Sequence, residues 1–203
     1  LECMGALGLL GLCLPVRWGG QGMDYLSLGL ACEELEAVDT HLRVAMSVHL
    51  GLCALTLFQW GSEAQKQKFL IPLAKGEKLG CGAFTEPGMG SDIAAMRTTA
   101  KHHGGGYLLN GEKMWISNGE HDMSENIVHL VLAKIPGADG RLVPGVRGIS
   151  LFIVPRLLVN PAGELTGERN DVALAGLNHK MGFRGLPNTL LNFGEGTHPV
   201  GGR

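Results

Sequence analysis

A chain of 203 residues that is 45% hydrophobic and 18% charged has enough apolar material to bury one or two cores, which excludes a disordered tail. Its formal charge is −2, and the lysines and arginines are spread along the chain, which excludes the basic stripe of a nucleic-acid binder. The 32 glycines, roughly twice the ordinary ~7% usage, often stand beside Pro, Asn, Asp or Ser and point to a β-rich region with many tight turns.

From the N-terminus, residues 4–15 are apolar but have neither a basic region before them nor a small-residue cleavage site after them, so no signal peptide is expected. Residues 24–38 repeat apolar side chains (Leu28, Ala31, Cys32, Leu35, Val38) at spacings of three and four, with Glu33, Glu34 and Glu36 on the solvated side. This predicts an amphipathic helix that Asp24 can cap. Residues 40–60 are apolar nearly all round and stop at Gly61, which predicts a central bundle helix. Its strongly apolar part, 44–57, is interrupted by His49 and is shorter than the ~20 residues of a membrane span, so no span is expected. Ser62-Glu63-Ala64-Gln65 is a capping box, and the helix it opens is predicted to end before Pro72.

After Gly76 the apolar period changes from about 3.6 to about two. The division expected is a helical domain over 1–78 and a β domain over 79–203. Runs at 98–102 and 107–110 flank Gly104-Gly105-Gly106, and Asn110-Gly111 leads into 113–117, the pattern of successive hairpins. Further β-branched runs at 127–135 and 149–154 are separated by the turn-rich 136–148, so a small barrel or sandwich is predicted. The cysteines Cys3, Cys13, Cys32, Cys53 and Cys81 are odd in number and lack C-x-x-C spacing. They read as buried thiols of a cytoplasmic or other reducing compartment.

The stretch that carries chemistry is Gly82-Ala83-Phe84-Thr85-Glu86-Pro87-Gly88-Met89-Gly90-Ser91-Asp92. It is a strand that ends in a hydroxyl and runs into a loop, stiffened by proline and bared by glycines, as a phosphate- or ring-binding loop requires. It is neither a Walker loop nor the G-x-G-x-x-G fingerprint. Later comes Lys113-Met114-Trp115-Ile116-Ser117-Asn118-Gly119, where strand alternation puts Trp115 and Ser117 on one face. An indole beside a hydroxyl suits a planar heteroaromatic cofactor. The bland alternatives are hydroxyls of Thr85 and Ser91 that merely satisfy the backbone, and a Trp115 buried in a core. Met89 reads as a packing residue. His102, His103, His121 and His129 lack metal-ligand spacing and default to solvent-facing or capping roles.

Together the two segments resemble the acyl-CoA dehydrogenase family. Residues 84–92 are similar to its signature loop and 114–119 to its second flavin-contacting segment; 61–66 and Lys180-Met181-Gly182-Phe183-Arg184-Gly185 extend the likeness, the latter to a later strand and turn. The resemblance implies an α+β chain, an α-helical N-terminal domain followed by a β-barrel middle domain, with a C-terminal four-helix domain lying beyond this sequence. It implies FAD as cofactor, lined by Gly82, Ala83, Phe84, Thr85, Glu86, Pro87, Gly88, Met89, Gly90 and Ser91. Thr85 would bond the pyrimidine side, Phe84 would pack on the ring, and Trp115, Ile116 and Ser117 would hold the other edge. Ser91 would also reach an acyl-CoA substrate. The implied reaction is oxidation of the acyl-CoA thioester to the 2,3-enoyl-CoA, with an electron-transfer flavoprotein or similar acceptor and a homo-oligomeric enzyme. The family's catalytic glutamate belongs to the C-terminal helices, no glutamate here matches it, and Glu86 reads as a loop constituent. The sequence departs from the family at Leu186-Pro187, where many relatives carry a CoA-contacting serine. Rival readings are an acyl-CoA oxidase, a related flavin monooxygenase, or a non-catalytic flavin- or partner-binding module.

Overall fold

The structure, a computed structural model, describes residues 1–202. The chain opens with a short helix α1 (Glu2–Ala6) and two single 3₁₀ turns, Leu9–Gly11 and Val16–Trp18. Helix α2 (Tyr25–Val38) starts as expected, the Asp24 carboxylate accepting from the Ser27 amide at 2.8 Å. Its inner stripe is only half-buried, and Val38 at the end of the stripe is 86% exposed.

Helix α3 covers Thr40–Trp60, 21 residues, with a π-wound middle at Val48–Ala54. By length and composition it could cross a membrane, so the length argument against a span does not hold. Packing argues for a core helix instead: Ala45, Met46, His49, Leu50, Cys53, Ala54 and Leu57 are all buried. The opposite side is open, with Trp60 75% exposed, so α3 is one-faced and not buried all round.

Helix α4 occupies residues 63–74 and begins with the Ser62–Gln65 capping box. It does not stop before Pro72. A π turn at Lys66–Leu70 precedes a last segment, Ile71–Ala74, and Pro72 lies in that segment's first turn, directly after the change of winding.

The remainder is one curled seven-stranded sheet, a half-barrel, in the order β1-β4-β2-β3-β9-β8 with β5 also on β4. The strands are β1 (Lys78–Ala83), β2 (Thr99–His103), β3 (Gly106–Ser117), β4 (Asn126–Lys134), β5 (Ile149–Pro155), β8 (Val172–Leu177) and β9 (Asn188–Phe193). β6 (Leu157–Val159) and β7 (Leu165–Arg169) form a separate hairpin. β1 runs parallel to β4, and the other long pairings are antiparallel.

Asn110-Gly111 is not a turn. It lies inside β3, where the strand leaves one partner for another: Asn110 pairs with Thr99 of β2, and Gly111 with Phe193 of β9. Gly111 has φ +155°, and a Cβ there would lie 2.8 Å from the Thr98 Cα, so only glycine allows this crossing. Lys180–Gly185 is likewise no strand. It falls in the loop between β8 and β9, pinned by the Lys180 Nζ, which donates to the carbonyls of Phe183 and Leu186.

Two cores meet at β4. Leu14, Leu50, Leu70, Leu73, Val128 and Leu130 join the helices to the outer side of the sheet, while Ile116, Ile127, Val131, Leu191 and Phe193 fill its curl. Helix α3 approaches β1 so closely that a Cβ at Gly80 would stand 2.3 Å from the Cys53 sulfur. His49 links the same elements. Its Nε2 donates to the Leu73 carbonyl (3.1 Å) and its Nδ1 accepts from the Gly80 amide (3.0 Å), and burial pushes the imidazole down to about 4. His129 is also fully buried, its ring nitrogens against the carbonyls of Val154 and Gly119, which overturns a solvent-facing role for it. All five cysteines are free, but only Cys53 and Cys81 are buried, and Cys3 is exposed.

Candidate functional site

The two chemistry-bearing segments lie side by side. β1 ends at Ala83, and Thr85 then pairs with Met114 of β3: the Met114 amide donates to the Thr85 carbonyl at 3.0 Å, and the Thr85 hydroxyl donates to the Met114 carbonyl. The hydroxyl proton of Thr85 thus goes to the backbone, as the bland reading had it, and only its oxygen lone pairs remain to face a ligand. Ser91 is exposed and Ser117 half-buried, and neither hydroxyl has a partner among the described residues.

Glu86-Pro87-Gly88-Met89 is a tight turn closed by reciprocal bonds between the Glu86 and Met89 backbones, both 3.0 Å. Met89 points inward and is 6% exposed, whereas Pro87, Gly88, Gly90 and Ser91 form an exposed rim. A Cβ placed at Gly88 or Gly90 would meet nothing within 4 Å, so this chain leaves open the space beside those two backbones. Phe84 folds back over Gly82, where a Cβ would lie 2.9 Å from its ring, and packs against the outer core.

Glu86 faces away from this rim. Its Oε1 accepts from the Thr98 hydroxyl (2.6 Å), the Thr98 amide (3.0 Å) and Lys113 Nζ (3.0 Å), and its Oε2 from the Arg97 amide (2.8 Å). Burial alone would raise its pKa, but the hydrogen bonds from Thr98, Arg97 and Lys113 hold the carboxyl below the usual range. Lys113 is fully buried and also donates to the Phe84 carbonyl at 3.1 Å. Burial pulls its ammonium down, and the carboxylate opposes that pull. Sequence reasoning passed over this pair. Its only signal was a lysine inside an otherwise half-buried strand.

Trp115 is not a core residue. A register shift between Lys113 and Ile116 makes a bulge, in which Trp115 takes φ +65° and is 56% exposed. Simple strand alternation therefore does not govern its direction. Ile116 goes into the curl of the sheet, while Trp115 and Ser117 on either side stay out of it. A bulky side chain in the left-handed region costs on the order of 1–3 kcal/mol and persists only where the surroundings impose it. Asn118 follows with φ +58°, buried, its amide donating to the Pro187 carbonyl at 3.0 Å and its Oδ1 without a partner among the described residues. Through that bond the β8–β9 loop reaches the site. Leu186, where the sequence departs from the family, is 5% exposed and belongs to the packing of that loop.

Beyond Gly119, Glu120 binds Arg156 (2.8 Å) and Arg169 (2.6 Å); burial would raise its carboxyl, but the two guanidiniums hold it down. A hollow of about 1530 Å³ opens elsewhere, between the end of α3 (Leu57, Trp60) and the sheet (Tyr107, Phe152, Phe193). It contains none of the residues at 82–92 or 113–118, so size alone does not mark the chemistry here. No group of three or more His, Cys, Asp or Glu side chains able to hold a metal occurs among the described residues.

Comparison with known proteins gives a consistent answer. Residues 1–77 match the family model "Acyl-CoA dehydrogenase, N-terminal domain", and residues 81–195 match the middle domain of the same family. The chain is 38% identical over 199 residues to 3-methylmercaptopropionyl-CoA dehydrogenase of Ruegeria pomeroyi, covering 94% of this chain and 32% of that protein. It is 40% identical over 190 residues to mitochondrial isovaleryl-CoA dehydrogenase of Pongo abelii, covering 94% and 41%. A Bacillus anthracis acyl-CoA dehydrogenase solved in complex with FAD superposes with a TM-score of 0.76 at 34% identity, covering 95% of this chain and 30% of that one. The chain thus spans less than half the length of each of these relatives.

Proposed function

This chain belongs to the acyl-CoA dehydrogenase family, and from that premise we propose that it supplies the flavin- and thioester-facing part of an FAD-dependent oxidoreductase that converts an acyl-CoA to its 2,3-enoyl-CoA. The observation that carries the reading is Trp115, an exposed indole held on a strained bulge directly beside the Thr85–Met114 lacing. Such strain without a core to fill points to a ligand.

The chain's own residues fit a planar heteroaromatic group that carries both N–H donors and acceptor atoms on its edges. The open backbones at Gly88 and Gly90 admit close approach, the free Ser117 hydroxyl can donate to a ring heteroatom, and the Thr85 oxygen can accept from a ring N–H. The indole can cover the ring and keep water from it. The Asn118 Oδ1 is a buried acceptor still lacking a donor. FAD, when bound, supplies the acceptor for the hydride that leaves the substrate β carbon. Ser91, exposed at the loop's far end, is placed by this reading against the substrate thioester.

Neither Glu86 nor Glu120 serves as the base that removes the α proton, because both carboxylates are engaged by fixed donors. This agrees with a base drawn from the C-terminal helices that the family resemblance implies. An electron-transfer flavoprotein as acceptor, self-association and a reducing compartment belong to the same reading; the five unpaired cysteines support the last.

The test is absorbance of the purified chain after incubation with FAD and gel filtration. Flavin bands should be retained, and a Trp115→Ala, Ser117→Ala double variant with an unchanged thermal midpoint should lose them. A wild-type chain that emerges colourless would overturn the reading.

A further inference from the structure

The Glu86–Lys113 pair has no part in the chemistry described above, yet it sits beneath both flavin-facing segments. Lys113 Nζ holds the Phe84 carbonyl and the Glu86 carboxylate, so one ammonium grips the residues on either side of Thr85. On its own strand Lys113 precedes Met114, which exchanges two bonds with Thr85, and Trp115 follows. Glu86 is gripped in turn by the Arg97 and Thr98 amides and the Thr98 hydroxyl, which tie the loop to the start of β2. Lys113 is 0% and Glu86 8% exposed at the side chain, so neither charge is screened by solvent.

We infer that Glu86 and Lys113 are positioning residues of the flavin site, a buried and mutually compensated charge pair that fixes the loop against the bulged strand and keeps the field at Thr85 and Trp115 near neutral. The inference rests on the flavin reading and deepens it. An ion pair that merely held the fold together would lower stability when broken and leave the flavin's electronic properties alone. A compensated pair that grips the neighbours of Thr85 behaves differently, because each single deletion exposes the other charge in a low-dielectric setting. An unpaired ammonium favours the more negative, reduced flavin, and an unpaired carboxylate disfavours it.

The experiment measures the reduction potential of FAD bound to wild type, Glu86→Gln, Lys113→Met and the double variant, all at one buffered pH. The expected result is a rise for Glu86→Gln, a fall for Lys113→Met, and a return to the wild-type value in the double variant. The double variant should nonetheless bind FAD about tenfold more weakly, because the Phe84 carbonyl loses its donor. Shifts of the same sign in both single variants, or none, would overturn the inference while leaving the flavin site standing. If either single variant does not fold, the double variant decides: wild-type affinity and an unaltered visible circular dichroism of its flavin would sink the idea. A wild-type chain that binds no FAD removes both this inference and the reading beneath it.

Discussion

The helical part and the site-bearing sheet are both densely packed, but different forces hold their centres. At the heart of the helices Leu50, Leu70 and Leu73 pack against one another and against Val128 and Leu130, and His49 is the polar exception, its two bonds both satisfied. Such an interior tolerates helices that change winding partway, as α3 and α4 both do, because apolar contact is not directional. Under the proposed flavin site the buried centre is an ammonium, a carboxylate and a threonine hydroxyl with fixed distances. Directional bonds of this kind specify a loop to a fraction of an ångström, as a cofactor site requires. Loss should therefore be graded in the first region and sharp in the second.

The largest effect expected is at the clasp. Lys113→Met alone should cost about 3–5 kcal/mol in chemical denaturation, because the Glu86 carboxylate is left buried without its counter-charge, and adding Glu86→Gln should recover part of that loss. Leu50→Ala should cost about 2–5 kcal/mol, as a cavity and without rescue by any neighbour; equal behaviour of the two sites would erase the contrast.

Acidification probes the helical side. His49 stays neutral in the folded chain, its pKa pushed from 6.5 to about 4. Between those values the unfolded chain binds the additional proton, so stability is intact above 6.5 and falls as pH drops toward 4, by roughly 3 kcal/mol. His49→Gln should flatten that slope in urea midpoints taken across the range, apart from any contribution of His121, which burial and Arg156 also push down to about 4.

Smaller still are two changes of about 1 kcal/mol with opposite signs. Ser62→Ala removes the capping box of α4 and should lower the thermal midpoint by about that amount. Trp115→Gly relieves the left-handed backbone and should stabilise the fold by a similar order while abolishing flavin retention. A Trp115→Gly chain that is both weaker and flavin-free would mean that the indole packs for stability after all.

What the sequence disclosed followed signals that are local. Asp24 and Ser62 cap helices because a short polar side chain before an apolar run has little else to do. The runs that became β4 and β5 are β-branched, and Gly104-Gly105 turns the hairpin. Thr85 and Trp115 were found as members of paired segments. Features that depend on distant partners stayed hidden. Asn110-Gly111 has the composition of a turn, yet β9 arrives from 82 residues away to continue the strand, as Gly111↔Phe193 shows. The bulge that turns Trp115 outward is a register event between β3 and β9, which no alternation within β3 reports. Pro72 reads as a stop unless the π turn before it is known. Glu86 looked like a loop carboxylate because neither Thr98 nor Lys113 is near it in sequence.

The parallel pairing of β1 with β4 has a consequence for the order of events as the chain folds. Lys78 finds Asn126 and Ala83 finds Val131, so the whole stretch between the two strands is a loop that must close before the pairing yields anything. Every residue assigned here to the flavin, from Gly82 to Asn118, lies inside that loop or at its edge. Closing that loop should be a late step, and the helical core, which contains Val128 and Leu130, should complete with it. Substitutions in β1 or β4 should then slow the appearance of flavin-binding competence without altering the affinity of the chains that complete folding.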